Sequence, residues 1–267
     1  MVKVAIAGAA GRMGRTLVQA VHAHSGMQLV GAIERPDMPL LGSDAGELAG
    51  VGALGVRLVD TVAAGCARAD LMIDFTAPAA TLAALEHCVA AKCGMVIGTT
   101  GIDAAGRARI GAAAQHVPIM FAPNMSVGVN VLFKLVTLAA QTLGADYDIE
   151  VIEAHHKHKV DAPSGTAVRL GELMADATGR DYASAAVHGR VGQVGARKPG
   201  EIGFHAIRGG EIIGDHTVMY VGPGEQIEIT HRASSRTNFA EGAMRAARWL
   251  AGRPAGLYDM QDVLGLR

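Results

Sequence analysis

An α/β protein in two parts is what this sequence predicts: a parallel sheet flanked by helices, then a smaller α+β segment. Three observations carry that expectation. A short apolar run at residues 3–7 meets the turn Gly8-Ala9-Ala10-Gly11-Arg12-Met13-Gly14, a helical pattern, a second strand and an acid. The strand–helix alternation then recurs as far as Asn124. Beyond Asn124 the pattern changes to one long apolar helix and then to glycine-punctuated strands.

The first element is the β-branched, apolar run Lys3-Val4-Ala5-Ile6-Ala7. The helical pattern Thr16-Leu17-Val18-Gln19-Ala20-Val21 follows its glycine turn, and residues 27–33 read as the next strand, closed by Glu34-Arg35. Strand, glycine-rich turn, helix, strand and acid make up the order of a dinucleotide-binding βαβ unit. The spacing is GxxGxxG rather than GxGxxG, but the turn lies between strand and helix, with Glu34 about 20 residues past Gly14. Glycines let backbone N–H groups approach a pyrophosphate, and the helix start adds a favourable field. Glu34 is expected to accept from ribose hydroxyls and Arg35 to tolerate a 2′-phosphate, so both NADH and NADPH are expected cofactors.

Strands follow at residues 69–75, 94–97 and 117–122, with helices at 79–91 and 103–116. Phe75-Thr76, Gly98-Thr99-Thr100 and Ala122-Pro123-Asn124-Met125 therefore fall at carboxyl ends of strands, where an open parallel sheet holds its ligand. Residues 127–143 read as an apolar helix. The later chain reads as hairpin-rich β, with strands at 203–208, 211–220 and 225–232, and turns at Gly209-Gly210 and Gly222-Pro223-Gly224. Residues 191–200 read as a mobile loop, and 238–250 as an amphipathic helix returning to the first part.

The densest chemistry is Glu153-Ala154-His155-His156-Lys157-His158-Lys159-Val160-Asp161-Ala162-Pro163-Ser164-Gly165-Thr166. Imidazole titrates near neutral pH, so His beside Lys suits proton transfer to a small anion. Ser164 reads as an N-cap, which places the free N–H groups of a helix start beside the cluster. A metal reading is disfavoured: adjacent residues on extended chain point to opposite faces, and only Asp161 adds a ligand. No metal is expected. A merely solvated basic loop is the bland alternative.

Composition narrows the classes. The 267 residues carry a formal net charge of −1, with 18% charged residues, so nucleic acid is not an expected partner. Cys66, Cys88 and Cys93 form no CxxC pair and read as reduced thiols. The apolar amino terminus is interrupted too early for a signal peptide, and no run is expected to reach a membrane span. A soluble, cytoplasmic protein is expected.

Taken together, these motifs resemble the 4-hydroxy-tetrahydrodipicolinate reductase (dihydrodipicolinate reductase) family nearly end to end. The resemblance rests on the glycine turn, Glu34-Arg35, Gly98-Thr99-Thr100-Gly101, Pro123-Asn124-Met125-Ser126-Val127-Gly128-Val129-Asn130, and above all on residues 153–166. Met125 departs from the larger residue that many members carry. The resemblance implies a Rossmann-type domain of residues 1–126 and 236–267. It also implies a substrate-binding and oligomerisation domain of 127–235 with an open mixed sheet, and a homotetramer. It implies NAD(P)H-dependent reduction, with loss of water, of a cyclic imine dicarboxylate in diaminopimelate and lysine biosynthesis. His155 and Lys159 are then the catalytic proton donors, and His156, Ser164, Gly165 and Thr166 bind substrate. Gly8, Ala9, Ala10, Gly11, Arg12, Met13, Glu34, Arg35, Gly98, Thr99, Thr100, Ala122, Pro123, Asn124 and Met125 line the cofactor. A Cys-dependent aldehyde dehydrogenase and a nucleotide sensor without turnover are the competing readings.

Overall fold

The computed structural model describes residues 1–267, and the chain folds as two compact units, Met1–Val127 with Thr237–Arg267, and Gly128–Arg236. The first unit begins β1 (Val2–Ala7), α1 (Arg12–Ala23), β2 (Met27–Ile33), α2 (Ala45–Ala49), β3 (Leu58–Val59) and α3 (Val62–Cys66). It continues β4 (Leu71–Asp74), α4 (Pro78–Ala90), β5 (Gly94–Ile97), α5 (Ala104–Ala113) and β6 (Pro118–Phe121).

The second unit holds nearly all of α6 (Val127–Leu143), then β7 (Asp148–His155), α7 (Gly165–Ala177) and α8 (Tyr182–Ala185). Strands β8 (Ala186–His188), β9 (Ile202–Arg208), β10 (Asp215–Gly222) and β11 (Glu225–Arg232) complete it. The chain then returns to the first unit as α9 (Thr237–Leu250), β12 (Gly256–Tyr258) and α10 (Met260–Leu264).

The first unit is a seven-stranded parallel sheet in the order β12-β6-β5-β4-β1-β2-β3. Helices cover both faces, which is why β4 and β5 are wholly buried and read as continuous apolar runs. One core layer gathers Leu17 and Val18 of α1 with Ala243, Met244 and Leu250 of α9. The opposite layer gathers Cys66, Leu85, Cys88 and Ile110 from α3, α4 and α5. Strand order reverses between β1 and β4, so the turns leaving these two strands flank the crevice of a doubly wound sheet.

The stretch 42–66 holds α2, β3 and α3, none of which the periodicity announces, because each is only two to five residues long. Local capping fixes it: the Asp44 carboxylate accepts from the N–H groups of Gly46, Glu47, Leu54 and Val56. Those donors also hold its pKa down, the Leu54 N–H most strongly.

The second unit is a mixed five-stranded sheet in the order β11-β10-β7-β9-β8. Here the sequence expectation fails at one turn. The stretch at Gly209-Gly210 does not close a hairpin, because β9 runs parallel to β7, and β10 lies on the other side of β7. Only β10–β11 is a hairpin, closed by Gly222-Pro223-Gly224. One face of this sheet buries Ile149, Val151, Phe204, Val218 and Tyr220 with α6 and α7 residues such as Phe133, Val136, Leu170 and Met174. The Tyr220 hydroxyl donates to the Val136 carbonyl at 2.6 Å, which satisfies it inside that core.

One further expectation needs correction. With the turn that follows it, α6 is long and apolar enough to cross a membrane (Val127–Asp146). It reaches that mark because one face packs Val129, Leu132, Phe133 and Val136 into the core while the other exposes Val131, Leu135 and Leu138. The exposed loop at 191–200 is anchored at Arg190, just before it, and at Arg197 within it. The Glu150 carboxylate accepts from both Nη atoms of Arg190 at 3.0 Å and from Arg197 Nε at 3.0 Å, and Arg197 also bonds Asp148. Gly203 makes the seat possible, since a Cβ there would stand 1.8 Å from Glu150 Oε2.

Candidate active site

The nucleotide half lies in the first unit. Gly8 leaves β1 with φ +67°, a left-handed conformation that favours glycine. A Cβ on Gly14 would stand 2.0 Å from the Gly8 carbonyl oxygen, so this glycine lets α1 sit directly on the turn. Gly11 is the N-cap of α1 and has no side chain to bond the first-turn N–H groups, which leaves that helix end open to an anion.

Arg12 is exposed and Met13 half-buried at the helix start, while Ala9 and Ala10 are buried. The Glu34 carboxylate, itself buried, accepts from the Ala10 N–H at 2.9 Å and from the Arg35 N–H at 3.2 Å. The end of β2 is thereby locked to the turn. Arg35 extends into solvent and pairs with Asp37 at 3.2 Å.

Across the strand reversal, Asp74 at the end of β4 is buried. Its Oδ1 accepts from the Thr76 N–H at 2.8 Å and the Thr76 hydroxyl at 2.6 Å, while Oδ2 is buried without a partner. Thr99 donates to the same Oδ1 at 3.4 Å and accepts from the Thr81 hydroxyl at 2.8 Å. Gly98 carries the Phe75 ring, whose nearest atoms lie 2.4 Å from where a Cβ would be. Thr100 is exposed at the edge, and Ala122 is buried after β6. Pro123 leads to Asn124, whose Oδ1 accepts from the Ser126 N–H at 2.9 Å, and Met125 is buried. The sequence places Phe75-Thr76 at this strand end but gives no signal for Asp74, whose buried carboxylate is visible only in the fold.

The His/Lys loop lies in the second unit, where β7 runs into it. Glu153 is its hub. This buried carboxylate bonds His155 Nδ1 at 2.6 Å and accepts a two-pronged pair from Arg208 at 2.8 and 2.7 Å. It also accepts the Ser164 N–H at 3.1 Å. Burial alone would push the Glu153 carboxyl up, but bonds from His155, Arg208 and the Ser164 N–H outweigh it and hold it at about 2. With Glu153 ionised above that range, His155 Nδ1 is the nitrogen that donates to it. The other nitrogen, Nε2, faces Gly214, where an added Cβ would come within 3.1 Å. Arg208 also donates to the Asp161 carbonyl at 2.6 Å, which secures the far end of the loop.

Lys159 is half-buried and pairs with Asp161 at 2.8 Å, while its backbone N–H closes a turn onto the His156 carbonyl. Burial lowers the His156 pKa, with Arg236 and neighbouring imidazoles adding to it. The exposed Lys157 and His158 complete the loop.

Ser164 caps α7 by accepting from the Ala167 N–H at 3.2 Å, and its Oγ bonds His216 Nε2 at 3.0 Å. His216 is buried and lies edge-on to His155, with ring centroids 5.2 Å apart. Burial, followed by the charge of His155, pushes its pKa down to about 3. Gly165 is exposed with open space where a Cβ would stand, and Thr166 follows it at the helix start. Sequence reasoning missed Arg208, Gly214 and His216 because they approach from β9, from the segment before β10 and from β10, far along the chain.

Comparison with known proteins agrees over both halves. Residues 2–125 match the family described as dihydrodipicolinate reductase, N-terminus, and residues 128–264 match dihydrodipicolinate reductase, C-terminus. A protein from Laribacter hongkongensis named 4-hydroxy-tetrahydrodipicolinate reductase is 58% identical over 265 residues, spanning 99% of this chain and 98% of its own. One of the same name from Thiobacillus denitrificans is 56% identical over 266 residues, spanning 100% and 99%. Among solved structures, a dipicolinate-bound dihydrodipicolinate reductase from Paenisporosarcina sp. TG-14 superposes with a TM-score of 0.77 over 98% of both chains. At 23% identity it speaks to the fold alone.

Proposed function

This chain belongs to the dihydrodipicolinate reductase family, and from that premise we propose that His155 and Lys159 supply the protons of its reaction. The reaction is the NAD(P)H-dependent reduction of 4-hydroxy-tetrahydrodipicolinate to tetrahydrodipicolinate with loss of water, a step of diaminopimelate and lysine biosynthesis. The bound nicotinamide supplies the hydride. Everything else falls to side chains of this protein.

Loss of water needs an acid to protonate the departing hydroxyl and a base to take a proton from the adjacent ring carbon, so it consumes no net proton, and it leaves the ring imine conjugated. The electron-rich enamine left after reduction takes up one proton at carbon. His155 is built for such work: Glu153 holds Nδ1, stabilises the imidazolium and leaves Nε2 to donate. Lys159, an ammonium on the same loop, is the second donor and a cation for the dianionic ring. Gly165 and Thr166 hold one substrate carboxylate at the start of α7, which Ser164 caps, and His156 holds the substrate from the loop.

In the first unit the turn Gly8 to Met13 receives the pyrophosphate, Glu34 the ribose, and Gly98-Thr99-Thr100 with Ala122 to Met125 the nicotinamide end. The residues fit that group: a Cβ on Gly14 would collide with the turn, and α1 begins with no side-chain cap. We assign residues 1–126 and 236–267 to the cofactor and 127–235 to substrate and assembly. Ile207 is exposed on the sheet face opposite the core and Ile227 on edge strand β11, and these apolar side chains support self-association into a homotetramer. Three unpaired thiols support a reducing, cytoplasmic setting.

The single observation carrying the assignment is the Glu153-anchored His155. The test generates the substrate in situ with its synthase and follows NADH and NADPH oxidation separately. His155→Ala and Lys159→Ala are each expected to lower kcat by about 10²–10⁴ with cofactor Kd unchanged. Normal turnover in both variants would overturn the assignment.

A further inference from the structure

The three cysteines, scattered in sequence, meet in space. Cys66 ends α3, Cys88 lies in the last turns of α4, and Cys93 precedes β5. Their Sγ atoms all lie within 4.8 Å of one another. None is more than 2% exposed. The Cys66 thiol also donates to the Met72 thioether at 3.6 Å. Three sulfurs bound to one atom at about 2.3 Å stand roughly 4 Å apart or less, so convergence on a shared centre needs only sub-ångström shifts.

Charge decides which centre fits. The thiols share an apolar core with Ile33, Met72, Leu85 and Met95, and the charged groups acting on them from outside it are His87 and Asp70. A three-thiolate complex of a divalent cation would bury net negative charge there, which is costly. Trivalent arsenic carries three charges and gives a neutral adduct. We propose that Cys66, Cys88 and Cys93 form a receptor for a trivalent arsenical, on the face of the sheet lined by α3 and α4.

The step balances without redox change: arsenous acid and three thiols give one arsenic trithiolate and three waters. Each As–OH bond is replaced by As–S, and each thiol proton leaves in a water. Entry runs through α3, a five-residue helix whose Ala63, Ala64, Ala67 and Arg68 surroundings are exposed, so it opens locally without unfolding the sheet. The site is independent of the reductase assignment.

The test incubates the full-length protein with arsenite in a phosphine reductant, which prevents disulfides, and removes unbound arsenic by gel filtration. One arsenic per chain is expected, with X-ray absorption at the arsenic edge reading three sulfur neighbours and no oxygen. Cys66→Ala, Cys88→Ala and Cys93→Ala should each weaken retention at least tenfold, in variants whose thermal melts confirm folding. No retained arsenic, retained oxygen neighbours, or unchanged uptake in any folded variant overturns the proposal. The wild-type spectrum decides the matter even if every variant fails to fold.

Discussion

Glu153 illustrates how much a single buried carboxylate organises at the residue scale. It orients His155, anchors Arg208 and receives the N–H of the α7 cap, so its loss reaches the His155 ring directly. Glu153→Gln keeps the shape but removes the charge that stabilises the imidazolium. Turnover is expected to fall about 10²-fold or more, with NAD(P)H Kd unchanged by fluorescence titration; an equal loss of cofactor affinity would point instead to general misfolding. Gly214→Ala places a methyl 3.1 Å from His155 Nε2. It should raise substrate KM and lower kcat while leaving the thermal midpoint nearly unchanged. Of these residues, Glu153 and His155 were visible as neighbours in one motif. Arg208, Gly214 and His216 were not, since nothing local marks a residue 50 positions away as a partner.

Elements differ in how openly the chain declares them. The turn from β1 to α1 was plain because glycine spacing, helix start and the acid after β2 all speak to one geometry. That reading makes a sharp contrast between two glycines. Gly14→Ala, whose Cβ would meet the Gly8 oxygen at 2.0 Å, should cost about 2–4 kcal/mol by denaturant unfolding and abolish cofactor binding. Gly26→Ala, with no atom within 4 Å, should be neutral or slightly stabilising. Equal effects at both sites would refute the close-packing account. Strand pairing was less legible. Gly209-Gly210 has hairpin composition, but β7 had already taken β10 on one edge and β9 on the other, leaving no direct pairing for the turn to close.

For the molecule as a whole, acid stability follows from two carboxylates held below their ordinary range. Burial opposes the ionised form of Glu150, but Arg190, His205 and Arg197 outweigh it, and the same balance at Glu153 leaves both at about 2. Their folded pKa values are depressed, so the stabilisation is complete above the unfolded value of about 4.3. It is lost as pH falls from there toward 2. Buried His216 adds to the trend, since a neutral folded ring with pKa about 3 loses ground as the unfolded ring protonates below about 6.5. The thermal midpoint should therefore decline from near pH 6.5 downward and drop steeply between 4.3 and 2. Glu150→Gln should blunt the steep part, and a flat profile over that span would contradict the carboxylate account.

By itself the sequence determined the class of each half, the glycine turn, the clustered His/Lys motif and the apolar faces. These are set by periodicity, steric freedom at glycine and the chemistry of adjacent side chains. Only the tertiary structure decided which strand lies beside which, that Arg208 and His216 complete the surroundings of Glu153 and Ser164, and that three distant cysteines share one buried place. Those outcomes depend on competition among long-range partners for one sheet edge, one carboxylate or one cavity, and that competition is settled only when the whole chain packs.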